Sequence, residues 1–260
     1  MADALSQVAV YRRRVHGPLA LVWENVLDWE HLPWLHRRSF RSIEPIDAGR
    51  WGWRARVGLA PAGEIALEVL VERETGSYVA RTLAGPGAGS EVRTRLASAG
   101  SELTDVAVSF HVPGAAPGRS AGPALVALYT RLWDEDESMI ARRAALLAHP
   151  RAAAELNLGR LAELRARLPL EVELAGWPVR VVELEGRLLA YVAACPHRLG
   201  PLEADGGGEL RCPWHGYRFE LRSGKSCDGR ALRLLPAPRV ELDGPTGEVR
   251  LVAAAAATRA

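Results

Sequence analysis

From residue 7 to residue 112 most of the chain reads as short strand-like runs, interrupted by one helical segment. Val8, Val10, Tyr11 and Val15 mark a first strand over Gln7–Val15. After Gly17-Pro18 the spacing lengthens, and Leu19–Val26 reads as a helix. Six strand-like runs follow: Ser39–Ile46, Arg50–Leu59, Glu64–Glu72, Ser77–Leu83, Glu91–Leu96 and Leu103–Val112. A long helical pattern, about Gly122–Leu147, closes this half. Pro150 and Pro169 then bracket a stretch rich in Ala, Leu, Glu and Arg. Its Leu156, Leu158, Leu161 and Leu164 predict a connecting helix over Arg151–Leu168. From Leu170 onward short strands return, at Val179–Leu184, Leu188–Ala194, Tyr217–Leu221, Val240–Leu242 and Glu248–Val252, the last two joined by Asp243-Gly244. The expected class is α+β: a first domain over 1–149, a linker helix over 150–169 and a small all-β domain over 170–260. The Ala-rich end, Ala253–Ala257, is expected to fray.

Composition narrows the functional classes. Apolar residues make up 48% of the 260, enough for two cores. A formal charge of +2 gives no reason to expect nucleic acid as a partner. No apolar run is long enough to span a bilayer or to read as a signal peptide. Only 3 Cys are present, too few for a disulfide framework once ligands are set aside, so a reducing cytoplasm is the expected location.

Two short segments carry redox chemistry. Cys195-Pro196-His197 and Cys212-Pro213-Trp214-His215 each join one thiol to one imidazole. Two Cys on one iron and two His on the other are what a Rieske [2Fe-2S] centre requires. Structural zinc favours CxxC with HxxxH spacing instead. The loops Cys195–Leu202 and Cys212–Phe219 resemble the CxHxxGxxL and CPxHGxxF loops of the Rieske family. Gly200 and Gly216 suit turns where backbone N–H groups approach the sulfurs. Where cytochrome-type members carry an extra pair of Cys, this chain has Gly200 and Trp214, which is similar to the ferredoxin and oxygenase branch. Cys227 is expected to be a free, inert thiol.

Glu24–His36 supplies a second constellation. Glu24, Asn25, Asp28, His31 and His36 match in type and spacing the ENxxDxxHxxxxH motif of Rieske oxygenases. The strand, helix, six-strand, long-helix order resembles the helix-grip fold that START-like (SRPBCC) proteins share with the catalytic domain of those enzymes. The resemblance implies a mononuclear non-haem Fe(II) bound by His31, His36 and a carboxylate of the late helix. Within Trp133-Asp134-Glu135-Asp136-Glu137, Asp136 is the expected third ligand, with Asp134 and Glu135 as alternatives. Asp28 matches the carboxylate that, in the family, links an iron-bound imidazole to a cluster imidazole of the neighbouring subunit. His16, His111 and His149 are read as ordinary residues. One departure from the family is plain: its cluster domain comes first and its iron domain second.

What the resemblance implies is an oxygenase reduced by a ferredoxin or flavin reductase. It would use dioxygen to hydroxylate or demethylate a small apolar substrate, with the many Trp fitting an aromatic or polycyclic ligand. A homo-oligomer, such as a trimer, is the expected assembly. The alternative is a metal-free, cavity-containing binding domain fused to a Rieske electron carrier, since helix packing also accounts for Trp23, Leu27, Trp29 and Trp34.

Overall fold

The computed structural model describes residues 4–114 and 121–253. The chain divides into two compact units, residues 1–144 and 145–260. The first begins with β1 (Leu5–His16) and α1 (Leu19–Leu27). A 3-10 turn (Trp29–His31) and α2 (Leu32–Leu35) come next. Then follow β2 (Phe40–Gly49), β3 (Gly52–Leu59), β4 (Glu64–Glu72), β5 (Ser77–Ala84), β6 (Glu91–Ser98), β7 (Leu103–Pro113) and α3 (Gly122–Leu147). This is the expected order, with boundaries moved by a few residues.

The seven strands form one antiparallel sheet in the order β1-β7-β6-β5-β4-β3-β2. Strands β2 to β7 are a meander, and β1 closes onto β7 from Leu5↔Pro113 to His16↔Leu103. The two edge strands are therefore consecutive in sequence. Residues 17–39, which join them, must cross a face of the sheet, and that crossing segment holds the Glu24–His36 motif. Period-two alternation turns Val15, Leu96, Val106, Val108 and Phe110 to this face, where they pack on Leu21, Val22 and Trp23 of α1 and on Trp133 and Ile140 of α3. A second group, Trp53, Ala55, Val57 and Val69, packs on Val26, Trp29, Leu32 and Phe40. Each such side chain, buried, contributes about 1.5–3 kcal/mol. The Trp53 indole N–H also donates to Val26 O at 3.0 Å, which fixes the end of α1 against β3.

The second unit is built of β8 (Ala154–Arg160), α4 (Leu161–Arg165), β9 (Leu170–Leu174), β10 (Trp177–Leu184), β11 (Arg187–Val192), β12 (Glu203–Ala204), β13 (Glu209–Arg211), β14 (Arg218–Glu220), β15 (Arg239–Leu242) and β16 (Glu248–Ala253). They make three small antiparallel sheets, β11-β10-β9, β12-β13-β14 and β15-β16-β8. The linker helix expected over 151–168 is corrected here. Only Leu161–Arg165 is helical, and Ala154–Arg160 is a strand paired with β16. Ala154, Leu156 and Leu158 alternate with Glu155 and Asn157, and this period of two buries the apolar row against Leu251 and Val249. That burial overrides the helix propensity of Ala, Leu and Glu. Residues 254–257 of the Ala-rich end lie outside the described residues. Among the described residues no helix is long and apolar enough to cross a membrane.

Candidate metal centres

In the second unit the two Cys–His loops close in the same way. The N–H of Cys195 donates to Gly200 O at 2.7 Å, and the N–H of Leu199 returns to Cys195 O at 2.9 Å. In the other loop Cys212 N–H donates to Tyr217 O at 2.9 Å, and Gly216 N–H returns to Cys212 O at 2.8 Å. The fifth residue of each loop takes a left-handed backbone, at φ 60° for Leu199 and 67° for Gly216. Gly200 has another reason to be glycine. A Cβ there would lie 2.7 Å from the Trp214 ring and 2.9 Å from Cys212 Sγ.

These loops bring the four expected ligands together. Cys195 and Cys212 are fully buried and not disulfide-bonded. Their thiols hydrogen-bond each other, which pushes Cys212 down to about 5 and Cys195 upward. Backbone N–H groups of His197 and Arg198 support the Cys195 sulfur, and that of Trp214 supports Cys212. The His197 and His215 rings lie 4.5 Å apart at 75°. Tyr217 stacks on His197 at 4.8 Å, and the Arg230 guanidinium lies 4.0 Å above Tyr217. Two buried, neighbouring thiols, two adjacent imidazoles and a cradle that a single methyl would fill suit a [2Fe-2S] cluster. Cys227 is exposed and stands apart from them.

In the first unit the crossing segment meets α3. Asp28 ends α1, the 3-10 turn carries His31, and His36 caps α2, whose first turn contains Pro33. From α3, Asp136 Oδ1 approaches His36 Nε2 at 3.1 Å and His31 Nε2 at 3.6 Å. All three residues are buried, with ligand atoms within 4.8 Å of one another. Three donors set at right angles around an ion, each at about 2.1 Å, would stand about 3 Å apart. Asp136 Oδ1 is buried yet accepts no hydrogen bond of good geometry, so both imidazoles sit beside it without satisfying it. The donor set therefore fits a divalent ion such as Fe(II).

Successive α3 residues point 100° apart, and their carboxylates reach different partners. Asp134 binds Arg13 at 2.5 Å and Glu137 binds His16 Nδ1 at 2.6 Å, so Asp134 is engaged away from the trio and His16 has a partner on α3. Glu135 meets the other nitrogen of His36, Nδ1, at 2.6 Å. Burial opposes a charged His36, but Asp136 and Glu135 outweigh it and raise its pKa. Burial likewise opposes an ionised Asp136, and His36, His31 and Asn25 outweigh it in lowering the Asp136 pKa. Glu24 of the same motif is spent on Arg143 at 2.5 Å. A cavity of about 130 Å³ opens beside this trio, lined by Asp28, Trp53, Tyr78, Tyr129 and Trp133 among others. The sequence pointed to His31, His36 and Asp136 but not to Glu135 as a partner of His36, nor to Tyr78 and Tyr129. Strand and helix residues carry no signal of which cavity they share.

Solved structures similar to this chain fall into two groups. The Zhui aromatase/cyclase from Streptomyces is 14% identical, with a TM-score of 0.45 over 54% of this chain and 96% of its own. A START superfamily protein from Mycobacterium smegmatis is 16% identical, with a TM-score of 0.40 over 55% and 99%. The ferredoxin of carbazole 1,9a-dioxygenase from Nocardioides aromaticivorans is 26% identical, with a TM-score of 0.31 over 38% of this chain and 97% of its own. No curated protein matches. Residues 155–238 match the family described as the Rieske [2Fe-2S] domain, a match that implies a [2Fe-2S] cluster in the second unit.

Proposed function

We propose that the protein is a Rieske-type non-haem iron oxygenase. The observation that carries this reading is the buried trio of His31, His36 and Asp136 beside a cavity, in a chain that also holds a Rieske domain. Cys195, His197, Cys212 and His215 would hold the cluster, and the trio would hold Fe(II). When bound, these groups supply single electrons and dioxygen activation.

The residues of the chain do the rest. Glu135 accepts the Nδ1 proton of His36, which leaves the Nε2 lone pair available for the ion, beside Asp136. Asp28, buried at the end of α1 and on the wall of the same cavity, would orient an imidazole in this reading. Trp53, Trp133, Leu67 and Val69 line the cavity and exclude water from it. A ferredoxin or flavin reductase is the electron source in this reading, and an apolar small molecule is the substrate. The test is iron content after anaerobic, iron-replete purification. About three Fe per chain are expected, falling to about two in a His31→Ala, His36→Ala double variant with the cluster spectrum intact. A wild-type count of two would leave a cavity-containing electron carrier instead.

A further inference from the structure

The cavity beside His31, His36 and Asp136 has a size, a charge and a polar inventory of its own. At about 130 Å³ and ordinary interior packing density, it has room for roughly 95 Å³ of van der Waals volume. An engineered cavity of about 150 Å³ takes benzene, so a single ring matches this space. No Lys or Arg lines the cavity, while Asp28 and Asp136 do. Those two carboxylates balance the charge a divalent ion would bring. A carboxylate ligand would therefore enter without a countercharge, at a cost in desolvation.

The polar groups on the wall are specific. Tyr78 of β5 and Tyr129 of α3 face the cavity from the sheet and from the helix. Burial favours the protonated, hydrogen-bond-donating form of both phenols. Asn25, which is 8% exposed, gives its side-chain N–H to Asp136, and its Oδ1 is buried without a hydrogen-bond partner. Phenol donors together with the unpartnered Asn25 acceptor in one small space suit a group that can both accept and donate, which is a hydroxyl.

We infer that this cavity takes a neutral single-ring compound bearing a hydroxyl group, a simple phenol, with Tyr78 and Tyr129 donating to the hydroxyl oxygen and Asn25 Oδ1 accepting its proton. As a ligand this molecule needs no iron, and as a substrate it rests on the oxygenase reading. Recognition narrows the expectation from the sequence, from an aromatic or polycyclic ligand to a single hydroxylated ring.

The experiment is titration calorimetry on the full chain, with the mononuclear site stripped by chelator and then reloaded with Fe(II). Phenol, toluene, benzoate and 2-naphthol are the probes. Phenol should bind saturably to the stripped protein, about fivefold tighter than toluene. Benzoate and 2-naphthol should show no saturable binding. Tyr78→Phe and Tyr129→Phe, each tested alone, should bring phenol down toward toluene and leave toluene unchanged. Their melting curves confirm that both variants are folded. Tight 2-naphthol or benzoate binding, absent phenol binding, or a phenol preference that survives both substitutions overturns the inference. Phenol binding in a protein that holds only two Fe would sustain the cavity assignment and sink the oxygenase reading, so the two failures are distinguishable.

Discussion

Gly200→Ala adds one methyl group to the loop around the proposed cluster, and its cost follows from three distances. The new carbon would stand 2.7 and 2.8 Å from two Trp214 ring carbons and 2.9 Å from Cys212 Sγ. Comfortable carbon contacts lie at about 3.5–4.0 Å, so about 1 Å must be found. Neither neighbour can swing into solvent, since Trp214 is 7% exposed and Cys212 is fully buried. The Gly200 backbone lies outside the left-handed region, so the cost is steric and not conformational. Overpacking of this kind destabilises by about 1–3 kcal/mol. For a unit of this size the melting temperature should fall by about 4–12 °C. The assay is melting of the full chain, followed through the visible absorption of the cluster, with iron content and electron paramagnetic resonance at room-temperature preparation. Gly207→Ala is the control, because its Cβ would meet only Asp205 at an ordinary 3.6 Å. A Gly200→Ala protein that melts with the parent and shows an unaltered cluster spectrum would refute the close-approach argument.

Two further outcomes test the neighbouring groups. Glu135→Ala should weaken Fe(II) or Co(II) binding at the mononuclear site by about 10–100-fold while leaving the cluster spectrum alone, and isothermal metal titration reads this directly. Asp136→Ala should abolish that binding, and equal effects of the two variants would contradict the separate roles given to them. Arg230→Gln removes a charge stacked over Tyr217 and His197, so the reduction potential should fall by about 10–30 mV, with Arg230→Lys closer to the parent. Potentiometric titration would show no difference between Arg230→Gln and the parent if the guanidinium only packs.

Much of the first unit was legible because β7 alternates cleanly, turn residues separate the strand-like runs and the edge strands are long. The helix misread over 151–168 shows where that legibility stops. Leu156 and Leu158 fit a strand by spacing, but Leu161 and Leu164 continue the same stretch at helical spacing, and only pairing with β16 separates the two. The short pair β12–β13 was not anticipated, since two- and three-residue strands carry almost no period, and the five residues of β9 carry little more. For the candidate centres, motif spacing pointed to His31 and His36, and the family resemblance gave Asp136 as the expected third ligand with Asp134 and Glu135 left open. The contact of Glu135 with His36 depends on how α3 is rotated against α2, which residue identities alone do not encode. Gly200 was expected to serve a turn, whereas in the structure Leu199 takes the left-handed backbone and Gly200 makes room for an indole.

Strand β8 opens the second unit and β16 ends its described part, and the two are hydrogen-bonded neighbours, with Ala154 opposite Ala253. A segment whose beginning and end meet at one sheet edge behaves as a cassette. It can be spliced in front of another domain, behind it, or into one of its surface loops without unpairing any strand of its own. The same geometry sets where it should be cut. Excision from 150 onward keeps the β15-β16-β8 sheet whole, while a start at 170 would strip β8 away and leave β16 with a bare edge.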